Sequence, residues 1–185
     1  MQNEQIEIQP CKKKKDSFLG ELIRTIVPTA IITLLFLYLV GQLAIVCGNS
    51  MNNTLYDGDV VFMEKITQRF SNLDRFDIVV FDSNLNNHQE FIKRIIGLPG
   101  ETVRIDENGN IYVDEKLIEE NYGKDVMVYA GIASEGVTLK ENEYFVLGDN
   151  RNNSKDSRFP DLGVVNYYQI KGRVCISLIP FVTIK

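Results

Sequence analysis

Histidine is almost missing from this chain. Its 185 residues hold one, His88, with no cysteine or second histidine near it, so no zinc-ligand spacing is present. His88 lies in the polar stretch Asn84-Leu85-Asn86-Asn87-His88-Gln89-Glu90, where an exposed loop side chain is the ordinary reading, so histidine is not the expected base of any nucleophile here. Cysteine is scarce as well. Cys11, Cys47 and Cys175 fall in a polar N-terminal stretch, at the end of an apolar run and in a late apolar segment, which excludes a disulfide framework and leaves free thiols. Positive charge is not in excess: 20 Lys and Arg against 25 Asp and Glu give a net charge of -5, with no sign of nucleic-acid binding. Internal repeats are absent, and low complexity is confined to Lys12 to Lys15.

Charge is also absent from Ile26 to Val46, 21 residues long. At 1.5 Å rise per residue, a bilayer core of about 30 Å needs about 20 helical residues, so this run reads as a spanning helix. The expected organisation is a cytoplasmic tail over 1–21, a transmembrane helix over 22–46 and an extracytoplasmic domain over 47–185. Lys12 to Lys15 and Arg24 precede the run, whereas Lys65 is the sole basic residue in the 20 that follow. That asymmetry holds the N-terminus on the cytoplasmic side, and the lysine cluster serves as topology signal and anionic-lipid contact. A cleaved secretory signal fits poorly, because its core is shorter, about 7 to 15 residues, and Leu43-Ala44-Ile45-Val46-Cys47 offers no small-x-small exit. A lipoprotein signal would need a small residue where Val46 stands. Pro28 and Gly41 are tolerated in membrane helices. Ser50 follows the run by four residues, which puts it within about 14 Å of the bilayer if the helix continues to Val46.

Beyond Ser50 the pattern changes to short runs rich in Val, Ile, Phe and Tyr: Val60 to Met63, Phe76 to Phe81, Phe91 to Ile96, Thr102 to Ile105, Ile111 to Val113, Tyr144 to Leu147 and Val174 to Ile179. Asp57-Gly58, Pro99-Gly100 and Asn108-Gly109 supply turn chemistry between them, the last as a hairpin signal. These predict one mostly β domain of roughly 140 residues, long enough to bury its own core. Residues 114–140 are more polar and read as a small insertion or cap.

A serine hydroxyl is a weak nucleophile until a base takes its proton. Ser50 is the candidate nucleophile and Lys93 the candidate base. In Phe91-Ile92-Lys93-Arg94-Ile95-Ile96, strand alternation puts Phe91, Lys93 and Ile95 on one face. An amine held against apolar neighbours is disfavoured in its charged form, which supplies neutral amine near pH 7, and serine with lysine is a known nucleophile–base pair. Taken alone, a lysine in this setting is more often a snorkelling edge-strand residue than a base.

The stretches Gly48-x-Ser50-Met51-x-x-Thr54-Leu55-x-x-Gly58-Asp59, Lys93-Arg94-Ile95-Ile96-Gly97-Leu98-Pro99-Gly100 and Gly148-Asp149-Asn150-Arg151-Asn152-Asn153-Ser154-Lys155-Asp156-Ser157-Arg158 follow one another in the order of the boxes of the type I signal peptidases. The chain resembles that family, the short Gram-positive members in particular. The resemblance implies a catalytic core of coiled, mostly antiparallel sheets, shared with the repressor autoproteases, with a smaller variable second domain that suits 114–140. It implies that Ser50 is the nucleophile, Lys93 the general base and Ser154 the hydroxyl that orients the lysine. Arg94, Asp149, Asp156 and Arg158 brace the site by ion pairs, and Met51 packs near the substrate pocket. The oxyanion would be met by the Ser50 N–H. Gly48 stands where some relatives carry an assisting hydroxyl.

The implied substrates are the signal peptides of exported preproteins, ending in small-x-small. A link to the secretion translocon or to pilin substrates is a further implied partnership, and no metal or nucleotide is needed. One departure is plain: Asn53 stands where the family pattern has proline, which loosens the turn beside the nucleophile. The loop Phe159 to Gly163 is also slightly long. The alternative reading is a specialised or catalytically weak factor for pilin or surface-protein processing or assembly. A self-cleaving regulator would need a DNA-binding or partner domain where this chain has an apolar run. A eukaryotic secretory-pathway member is disfavoured by the sequons Asn52-Asn53-Thr54 and Asn152-Asn153-Ser154.

Overall fold

The computed structural model describes residues 18–66, 73–83, 85, 89–123, 125–179 and 181–183. Of the tail expected over 1–21, residues 1–17, with Cys11 and the lysine cluster, lie outside them, as does His88, whereas residues 18–21 are already helical, so the helix starts at Phe18 and not at residue 22.

Helix α1, Phe18–Val40, contains Pro28, and its segment Gly20–Val40 is the one helix among the described residues long and apolar enough to cross a membrane. Its Thr29 hydroxyl bonds back to the Thr25 carbonyl at 2.7 Å, so the polar side chain is satisfied within the helix.

The helix stops at Val40 and does not reach Val46. The last part of the apolar run is instead β1, Gly41–Ile45, paired antiparallel with β2, Val60–Glu64, from Gly41↔Glu64 to Ile45↔Val60. Gly41 makes the change of structure feasible, because a Cβ there would sit 2.6 Å from the Phe62 ring and strike the Met63 carbonyl. The expected boundary therefore moves from 46 to 40, and the bound of about 14 Å between Ser50 and the bilayer lapses, since it assumed helix up to Val46.

The chain continues through β3 (Ile78–Asp82), β4 (Glu90–Gly97), β5 (Thr102–Ile105), β6 (Ile111–Val113), β7 (Lys116–Leu117) and β8 (Val137–Thr138). It then forms β9 (Glu143–Leu147), β10 (Val165–Asn166), β11 (Ile170–Ile179) and β12 (Phe181–Thr183). The larger sheet has the order β1-β2-β11-β3-β4-β9-β10 with β12 on β11, and the smaller the order β7-β6-β5-β8. Every pairing is antiparallel. The domain is thus mostly β, as the alternating runs predict.

β11 begins at Ile170, four residues before the expected Val174. Ile170, Gly172 and Val174 face inward, while Lys171 and Arg173 are only half-buried between them, so charge masks the first part of a regular alternation. The smaller sheet is built on β5 and β6 as well as on the strands from 114–140, so the second unit starts at Thr102, earlier than the insertion expected. Its Asn108-Gly109 turn is held by Asp106 Oδ1, which accepts from the N–H groups of Asn108 and Asn110 at 2.9 and 2.8 Å. Ile96, Val103, Ile105, Phe145 and Leu147 form a core between the sheets. A second core, with Met51, Leu55, Val61, Met63 and Val80, lies under the segment that carries Ser50.

Candidate active site

Ser50 sits in the connection from β1 to β2. Its turn is closed by the N–H groups of Thr54 and Leu55, which donate to the Met51 carbonyl at 3.0 and 2.9 Å, and it is anchored below by Met51 and Leu55, buried to 1% and 0% exposure. Asp57 Oδ1 accepts from the Gly48 N–H at 2.7 Å. From the other side, the Asn150 N–H donates to the Ser50 carbonyl at 3.0 Å and Asn150 Nδ2 to the Asn49 carbonyl at 3.0 Å. Gly148 permits this close approach, since a Cβ there would collide with the Ser50 carbonyl and the Ser154 side chain.

Lys93, 3% exposed, projects from β4 and donates to Ser50 Oγ at 2.7 Å and to the Ile92 carbonyl at 2.9 Å. The ring of Phe91, on the same strand face, lies 5.2 Å from its Nζ. Burial lowers the Lys93 ammonium from 10.5 to about 8, against the opposing pull of the Asp156 and Asp149 carboxylates.

Each carboxylate is matched to an arginine. Arg94 meets Asp149 bidentately, Nε to Oδ1 at 2.9 Å and Nη2 to Oδ2 at 2.7 Å, both side chains at 0% exposure. Thr54 Oγ1 donates to Asp149 Oδ2 at 2.5 Å, which ties the nucleophile turn to this pair. Arg158 meets Asp156 in the same fork, at 2.7 and 2.8 Å, and Asp156 Oδ2 also accepts from the Gly148 N–H at 3.1 Å. Removing one partner of such a buried pair costs about 3 to 5 kcal/mol, because the other charge is left uncompensated.

Two expectations change. Ser154 does not bond Lys93: its Oγ is buried with no hydrogen-bond partner. The backbone at Ser154 is extended, with φ -136° and ψ 131°, and the side chain lies against Gly148. Asn53 does not merely loosen its turn. Its φ is +105°, a left-handed conformation closed to proline, whose ring fixes φ near -65°, and its Nδ2 donates to the Tyr122 carbonyl at 3.3 Å.

A sequence profile described as "Signal peptidase, peptidase S26" matches residues 19–179. The chain belongs to this family. A probable signal peptidase I-2 of Synechocystis sp. is 38% identical over 167 residues, which are 86% of this chain and 73% of the relative. A signal peptidase I of Bacillus licheniformis is 33% identical over 175 residues, 91% and 92% of the two chains. The crystal structure of a signal peptidase I from Enterococcus faecalis V583 aligns at 35% identity and a TM-score of 0.46, covering 56% of this chain and 97% of that one.

In this signal peptidase family member, a cleft of about 470 Å³ runs past Ser50 and Lys93. One wall is the segment Val46 to Ser50, the other Glu90 to Lys93, with Asn153 and Lys155 also lining it. β9 pairs with β4 only from Arg94 onward, so the edge of Glu90–Lys93 turned away from β3 has no strand partner among the described residues. The structure gathers Gly48, Ser50, Met51, Lys93, Arg94, Asp149, Asp156 and Arg158 about this cleft or directly behind it. Sequence reasoning misses Glu120 and Tyr122, which reach the site from the polar segment after β7. The polar run Glu119-Glu120-Asn121 reads only as part of a small insertion or cap and gives no sign of these contacts.

Proposed function

We propose that this chain is a membrane-anchored serine endopeptidase that removes signal peptides from exported preproteins at small-x-small sites, with Ser50 as nucleophile and Lys93 as general base. The observation that carries this reading is the 2.7 Å contact between Lys93 Nζ and Ser50 Oγ, made by an amine that burial has brought to about 8. A neutral Lys93 takes the hydroxyl proton as Ser50 Oγ attacks the scissile carbonyl. The same amine delivers that proton to the leaving nitrogen, then activates the water that hydrolyses the acyl-enzyme. The Ser50 N–H, which has no acceptor among the described residues, faces the developing oxyanion. The Gly48 N–H is engaged by Asp57, so water or another backbone group supplies the second donor.

The open edge of Glu90–Lys93 suits an extended peptide, which adds as a strand and presents small side chains to the cleft near Met51. Anchoring by α1, with the basic flank in the cytoplasm and the domain outside, puts the chain in the bilayer where signal peptides emerge. A non-catalytic assembly factor is disfavoured by an intact contact between a half-buried serine and a buried lysine.

The test is cleavage of a preprotein with an Ala-x-Ala exit by the detergent-solubilised protein, alongside Ser50→Ala and Lys93→Met. Both variants are expected to lose at least about a hundredfold. Retained cleavage in either variant, or none in the wild type, rejects the assignment.

A further inference from the structure

We infer that the segment Glu120–Tyr122, together with Tyr129 farther along the same polar stretch, is a positioning device for the Ser50–Lys93 pair. It acts by holding the arginines behind the pair and the turn that carries the nucleophile. The inference rests on the serine–lysine reading.

Three buried arginines converge behind the site: Arg94, Arg151 and Arg158, at 0%, 4% and 1% exposure. Each receives a group from this stretch. The Tyr122 ring lies flat against Arg94, its centroid 3.6 Å from the guanidinium carbon, with Phe76 packed on the ring at 5.2 Å. Glu120 Oε1 is 2.7 Å from Arg151 Nη2, and the backbone passes so close to Arg151 that a Cβ on Gly123 would lie 3.4 Å from Nη1. The Tyr129 carbonyl accepts from Arg158 Nη1 at 2.9 Å. The remaining Glu120 oxygen accepts from the Tyr122 N–H at 2.8 Å, which fixes the strap on itself, and the Tyr122 carbonyl takes the side chain of Asn53.

This segment therefore touches all three sequence boxes: the nucleophile turn through Asn53, strand β4 through Arg94 and the loop Gly148–Arg158 through Arg151. Two carboxylates, Asp149 and Asp156, act on the Lys93 charge, each neutralised by its own arginine. The charges that line the cleft wall are paired elsewhere, Glu90 with Lys171 at 2.8 Å and Lys155 with Asp161. Losing the Tyr122 ring loosens Arg94, which keeps its bond to the Phe76 carbonyl at 2.8 Å, and admits water. Both effects favour the protonated lysine.

The experiment measures kcat, KM and the pH profile of preprotein cleavage for wild type, Tyr122→Leu, Tyr122→Phe and Asn53→Gly, with Ser50→Ala in the same assay and thermal unfolding of each variant. Tyr122→Leu is expected to lose about tenfold in kcat with KM within about twofold, as for a small misplacement of the reacting groups, and to shift the pH midpoint to the alkaline side. Tyr122→Phe restores both. Asn53→Gly keeps the positive φ but lacks the donor, and is expected to lose several-fold in kcat while fully folded; it decides the matter should Tyr122→Leu fail to fold. The inference is overturned if kcat and pH midpoint stay at wild-type values in the folded variants, or if activity falls only in step with the folded fraction. Activity surviving in Ser50→Ala would instead sink the serine–lysine reading itself.

Discussion

The most exacting consequence of a buried lysine base is the shape of the pH–rate profile. Lys93 titrates at about 8 in place of 10.5. At pH 7 about one molecule in eleven then carries the neutral amine, against about one in 3,000 for an ordinary lysine, a gain of roughly 300-fold that corresponds to about 3 kcal/mol. Because kcat/KM reports the ionisation of the free enzyme, it should rise about tenfold per pH unit below 8, reach half its maximum near pH 8 and level off above about 9. The assay is continuous cleavage of a peptide with an Ala-x-Ala exit by the detergent-solubilised protein between pH 5.5 and 10. A half-maximum below pH 7 would point to a base other than Lys93. A rise still at full slope at pH 10 would mean that burial does not act on this amine as argued.

The same burial opposes folding at neutral pH: the unfolded chain holds an extra proton between about pH 8 and 10.5, so this group's contribution to stability increases with pH across that window. Lys93→Met should therefore be more stable than wild type at pH 7, by about 1 to 3 kcal/mol in denaturant unfolding, with the gain shrinking by pH 10.5; lower stability at pH 7 would contradict it. Asn53→Pro should cost about 1 to 3 kcal/mol or more, because the ring cannot reach φ +105°, whereas Asn53→Gly should stay within about 0.5 kcal/mol; equal melting curves for proline and asparagine would refute this. Cys47 is exposed and lines the cleft, while Cys175 is half-buried with its thiol pushed up by that burial. In a Cys11→Ser background, a bulky maleimide should abolish cleavage and Cys47→Ser should resist it; equal inactivation of both proteins would exclude Cys47 as the target.

The nucleophile and base were legible because their chemistry is local to short sequence boxes: Ser50 in a turn between glycines, Lys93 on the apolar face of an alternating strand. Strand periodicity likewise marked β5 and β6 residue for residue, since hydrophobic alternation and turn glycines agree there. β1 was hidden for the opposite reason. Gln42 is the one polar residue between Tyr38 and Val46 in a run without charge, and the four apolar residues Leu43 to Val46 after it have no period to separate strand from helix. Glu120 and Tyr122 could not be found by any local rule. What matters about them is a stacking distance to Arg94, 28 residues away, and a carboxylate contact with Arg151, 31 residues away, which only the folded chain brings together. Ser154 illustrates the converse, in that its box placed it in the loop Gly148–Arg158 beside the site but could not set the rotation of its hydroxyl.

The five residues of β1 also decide where the protein can be cut. A soluble fragment begun at residue 47, the boundary suggested by hydropathy, would leave β2 with bare N–H and C=O groups along a hydrophobic edge, a template for intermolecular pairing. Beginning at Gly41 removes the helix and keeps that edge covered. The shorter fragment, with β2 bared, should therefore aggregate more than the longer one in detergent-free size-exclusion chromatography, although β1 then forms the edge with Leu43 and Ile45 exposed.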